Sequence, residues 1–107
     1  MTKVIVHPGI CGFDAFIEAI NSDGVVKLQI KSECEDVKKL AEILTEVSLK
    51  DLMEPLNQNK VYKTATKCIS HSACPIVCAI IKAVEVELGL ALEKDVTIKF
   101  DHYPRGK

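Results

Sequence analysis

A chain of 107 residues, 48% hydrophobic and 27% charged, is long enough to bury one core and too short for two. Its net charge of −1 offers no general attraction to nucleic acid or anionic lipid, and no run approaches the roughly 20 apolar residues needed to span a bilayer. The opening M-T-K-V-I-V-H-P breaks at Pro8 before the apolar stretch of a secretion signal forms, so one cytoplasmic domain over residues 1–107 is expected.

In chain order, Val4 to Val6 read as a short strand closed by the turn H-P-G. A second strand is predicted from about Cys11 to Ile20, with Cys11, Phe13, Ala15, Ile17 and Ala19 on one face. Asp14 and Glu18 take the other face, together with Phe16 and Ile20. N-S-D-G marks a turn, and the third strand alternates Val26, Leu28 and Ile30 against Lys27, Gln29 and Lys31. A two-residue loop at Ser22–Asp23 sets Cys11 opposite Cys34. A loop at Asp23–Gly24 sets the two diagonally, within about 7–8 Å.

S-E-C-E fits a capping box, with Ser32 as N-cap and Cys34 in the first turn of a helix running through Val37, Leu40, Ala41, Leu44 and Val47. Ser48 to Met53 read as a short helix stopped by Pro55, and Val61 to Cys68 as another. The longest helix follows Cys74-Pro75, with Cys74 as N-cap, Pro75 at the first position and Gly89 just past the end. Val96, Ile98 and Phe100 alternate as a closing strand, and an exposed tail begins at about residue 102. The fold class is therefore α+β: a mostly antiparallel sheet, built from the N-terminal hairpin and a C-terminal strand, with helices on one face. Phe16 and Ile20 on the outer face make a self-association surface, hence a homodimer or a protein partner. There is no stripe of basic and aromatic residues for nucleic acid, and H-P-G-I-C-G is no phosphate loop because a strand follows it.

Five cysteines, an odd number, argue against a disulfide framework in a reducing compartment. Three of them, Cys11, Cys34 and Cys74, fall at the hairpin's open end or at helix starts, where free N–H groups stabilise thiolates. Adjacent thiolates repel unless a cation neutralises them. The sharpest expectation is thus a site of Cys11, Cys34 and Cys74, completed by His71 with Cys78 in reserve, holding zinc or an iron–sulfur cluster. A thiol redox protein or cysteine enzyme, with Cys74 as nucleophile and His71 as base, is the second reading. The third is an interaction domain in which the cysteines only pack, as Cys68 and Cys78 would on buried helix sides. His7 is expected in a turn, His102 in solvent, and Asp14, Glu18, Asp36 and Glu42 on solvated faces.

The blocks H-P-G-I-C-G-F, S-E-C-E, N-K-V-Y and H-S-A-C-P-I-V-C-A-I-I-K-A-V-E-V-E-L-G-L-A-L-E-K-D-V-T-I resemble a family of small, single-domain prokaryotic proteins of unknown function. The resemblance spans His7 to Ile98. It implies an α+β domain, draws attention to Cys11, Cys34, His71 and Cys74, and supplies no activity.

Overall fold

Alternating apolar residues build the buried face of the sheet. In the computed structural model, which describes residues 1–102, strands β1 (Thr2–Val6), β2 (Ala15–Ser22), β3 (Val25–Ser32) and β4 (Glu46–Ser48) form an antiparallel sheet in that order. Ile17 and Ala19 of β2 face Val26 and Ile30 of β3 on the buried side, as the alternation requires. Ser22 pairs with Val25, so the hairpin turns on Asp23 and Gly24. Both have positive φ, 52° and 84°, which makes a type I′ turn suited to the right-handed twist of the flanking strands. The side chain of Asn21 closes it by accepting the Gly24 N–H at 2.9 Å.

The helices cover that buried side. Helix α1 (Glu35–Ile43) packs on β3, and α4 (Ile76–Glu87) packs on β1 and β2. Helix α3 (Lys60–Cys68) touches both, and α2 (Leu49–Met53) bridges from β4 to α3. Leu40 of α1, Val61 of α3 and Ile80 and Val84 of α4 meet the sheet residues with no exposed surface. The fold is α+β. Helix ends follow local chemistry. Ser48 and Asp51 form a reciprocal capping box on α2, and Asn59 caps α3 by accepting the Val61 N–H at 2.9 Å. Gly89, at φ 75°, ends α4 in a Schellman motif: its N–H donates to Val86 and that of Leu90 to Glu85.

Several boundaries differ from the sequence reading. The second strand starts at Ala15, not Cys11, because the 9–12 segment is a turn. Helix α1 stops at Ile43, and Val47 belongs to β4, a strand whose three residues are too few to show a period. Cys34 itself is the N-cap of α1, with Ser32 two residues back accepting the Cys34 N–H at 3.1 Å. Residues 95–100 alternate but pair with no strand here; alternation makes a strand only where an edge supplies hydrogen bonds. The expected exposed tail starts with an exposed His102, and Tyr103 to Lys107 lie outside the described residues.

One side chain ties the far end of α4 to the sheet. Glu87 accepts the Thr2 hydroxyl on one oxygen and the Asn21 backbone N–H on the other, the latter at 2.9 Å. These donors, the Thr2 hydroxyl foremost, hold its carboxyl below the usual glutamate range. A depressed carboxylate contributes stability that is present above its unfolded pKa and lost as pH falls through the folded value. Glu87→Ala is therefore expected to cost about 1–3 kcal/mol at neutral pH. Urea titrations at neutral and acid pH should show that loss shrinking as pH drops below the normal glutamate range; an equal loss at both would refute the charged role.

Candidate functional site

The segment between β1 and β2 is shaped by its glycines. Gly9 and Gly12 have φ of 97° and 72°, a region where a side chain is strained, and the Gly12 N–H donates to the Gly9 carbonyl at 3.0 Å. Cys11 rides this tight turn and is exposed. His7 and Asp14 join across the base, Nδ1 to Oδ1 at 3.1 Å, while both side chains stay exposed, His7 in the turn and Asp14 on the solvated face as expected.

Cys34 and Cys74 come from elsewhere. Cys34 ends the β3 side of the hairpin and opens α1, and its thiol makes no capping hydrogen bond. Cys74 precedes Pro75, the N-cap of α4, and the Ile76 N–H donates to its sulfur. Pro75 thus stands one place earlier than the first helical position, and α4 opens without a side-chain cap. The loop carrying Cys74 is pinned to α1: Asp36, in the first turn of α1, accepts the Ser70 N–H at 3.0 Å and the Ser70 hydroxyl at 2.6 Å. These donors, the hydroxyl first, lower the Asp36 pKa, and the charges of Lys39 and His71 add to the effect.

The topology puts the three cysteines at one end of the sheet. Glu87 fixes the C-terminus of α4 beside Thr2 and Asn21. A helix of 12 residues spans about 18 Å, so the start of α4 lies toward the opposite end. There β1 finishes at Val6, β2 begins at Ala15 and β3 finishes at Ser32. The electrostatics agree. Burial pushes the Cys74 thiol up, the Ile76 N–H opposes it, and the negative charges of Cys34, Cys11 and Asp36 all push it further up. A thiol raised in this way is the reverse of an activated nucleophile.

His71 sits exposed in the same loop, where its carbonyl accepts the Cys74 N–H at 3.2 Å and its ring charge bears on Asp36. Cys68 is buried in the core. Cys78 is exposed, contrary to its expected place on a buried helix side; the core stripe of α4 runs through Ile76, Ile80, Ala83 and Val84 instead. Among the described residues, no group of three or more His, Cys, Asp and Glu is already arranged to hold a metal ion. Beside the cysteines, an open depression is lined by Gly12, Phe13, Phe16, Lys31 and Glu33. The Asp36–Ser70 clamp escaped the sequence reading, which placed Asp36 on a solvated face; an acidic residue in a first helical turn is too common to announce a partner 34 residues away.

Among the described residues, no helix is long and apolar enough to cross a membrane. No curated protein and no solved structure matches the chain. The match that does hold, over residues 2–100, is to a family of unknown function, DUF6951, and the chain belongs to that family.

Proposed function

We propose that Cys11, Cys34 and Cys74 hold a transition metal or an iron–sulfur centre, with His71 as the protein group at hand for a fourth position. What carries this reading is the gathering of three cysteines from three chain segments at one sheet end, two of them at helix starts. Helix N-termini favour thiolates, yet here burial, with the neighbouring negative charges adding to it, pushes the Cys74 thiol up. A soft cation resolves that conflict by neutralising the cluster, and it prefers sulfur. Closing the site draws the exposed Cys11 turn in toward Cys34 and Cys74, a movement to which Gly9 and Gly12 lend themselves. The five cysteines are unbridged, which fits a reducing compartment such as the cytoplasm. With zinc the role is structural, tying the three segments together. With iron and sulfide the centre serves electron transfer, sensing or cluster assembly.

The test is the metal and acid-labile sulfide content of the full chain purified without oxygen, followed by reconstitution. Near-stoichiometric zinc without sulfide, or iron with sulfide, is the expected outcome. A chain that arrives empty and takes up neither iron nor zinc overturns the reading.

A further inference from the structure

A separate observation concerns the end of the chain. After Gly89, residues 90–100 are exposed and belong to no helix or strand, and among the described residues no backbone hydrogen bond joins 91–100 to the body. The molecule is accordingly drawn out, with extents of 53 × 30 × 26 Å and a radius of gyration of 14.7 Å; about 13 Å is usual at this length. Yet the segment is written as a strand. Val96, Ile98 and Phe100 share one face, at 55%, 85% and 88% exposure, while Asp95, Thr97 and Lys99 share the other. Three such apolar side chains left in water are unfavourable by several CH₂ groups each.

The sheet carries a matching vacancy. Among the described residues, strand β1 pairs only with β2, which leaves one of its edges open along five residues, whereas the other edge strand, β4, has three. On the outer face of the sheet the apolar residues gather on the β1 side. Ile5 of β1 is paired with Phe16 of β2, which is paired with Lys31 of β3. Ile20 of β2 is followed by Lys27 and Glu46 on β3 and β4. Ile5, Phe16 and Ile20 are 60%, 48% and 42% exposed, and across β3 and β4 that face turns polar.

We infer that two copies of the chain associate by strand exchange, residues 95–100 of each adding to the open edge of β1 in the other. Val96, Ile98 and Phe100 then extend the apolar row of Ile5 and Phe16, and the polar face of the strand turns to the helix side. A strand of six residues covers about 20 Å, enough to span all of β1. The exchange is reciprocal and closes on itself with two-fold symmetry, which leaves no open β1 edge on either copy. Each exchanged strand covers the five-residue edge of β1 and sets Val96, Ile98 and Phe100 on the same face as Ile5, and the exchange does this twice in the dimer. This explains why an amphipathic segment lies outside its own fold.

Sedimentation equilibrium of the full chain across a wide concentration range tests it, alongside amide hydrogen exchange. The expected result is a dimer whose 96–100 amides are protected. Ile98→Asp should weaken association by about tenfold or more. Because Ile98 lies outside the core, that variant should keep its circular dichroism and melting behaviour at high dilution. A chain that stays monomeric at high micromolar concentration overturns the inference, whether its 96–100 amides exchange freely or are protected by closure within one copy. A dimer that Ile98→Asp leaves intact overturns it as well.

Discussion

Cys74→Ser is expected to lower metal affinity by more than about 100-fold while leaving the fold in place, since losses around a metal site of 10–100-fold arise even from its supporting partners. The serine hydroxyl can still accept the Ile76 N–H in place of the sulfur, so the start of α4 is left undisturbed. What disappears is the soft donor. Titration with zinc or cobalt, read against unchanged circular dichroism, separates the two effects. The same titration has a predicted pH dependence. Metal replaces the thiol protons, so affinity rises with pH by up to about tenfold per unit for each thiol below its pKa. Burial and the neighbouring negative charges push the Cys74 thiol up, so its proton competes over a wider range and the rise continues further toward alkaline pH. Cys78→Ser, exposed and one helical turn on, should bind as the parent does. Undiminished binding by Cys74→Ser would remove the sulfur site from consideration.

Ile80→Ala is expected to cost about 2–5 kcal/mol, a large share of the roughly 5–15 kcal/mol that holds such domains together. Ile80 is fully buried in α4 among residues of the sheet, and truncation leaves a cavity that close-packed neighbours fill only in part. At about 4–8 °C per kcal/mol, the melting temperature should fall by about 10 °C or more. Ile98→Ala provides the contrast: the same change at an 85% exposed position should stay within about 0.5 kcal/mol in the dilute monomer. Equal losses at the two positions would mean that the segment after Gly89 belongs to the core, and the described packing would be wrong. The expected drop also bears on the site, because α4 carries the anchor for Cys74 at one end and the Glu87 tie at the other.

Much of the local structure was legible. The period of two over Ile17, Ala19, Val26 and Ile30 marks the inner sheet face, and Asp23–Gly24 offered one of the two turns that the pattern allowed. Ser48 with Asp51 and the Gly89 stop carry their own chemistry. Other features followed the wrong signal. The alternation of apolar residues continues backward through Phe13 and Cys11, but the glycine turn at 9–12 takes those residues out of the strand. Val47 extends a helical spacing across a helix that has already ended. At the candidate site, the sequence marks Cys34 and Cys74 as helix starts, while Cys11 was misread as a strand residue.

Alone, the sequence determined which segments bury which face, where most helices begin and end, and that five thiols had to be accounted for, because each of these rests on interactions within a few residues. Tertiary structure decided the rest. It set α4 so that its start lies at the hairpin's open end, clamped Asp36 to Ser70 across 34 residues, and tied Glu87 to Asn21 and Thr2 across 66 and 85. It also left Val96, Ile98 and Phe100 exposed. Contacts at such separations depend on how whole faces pack, and no local periodicity encodes them.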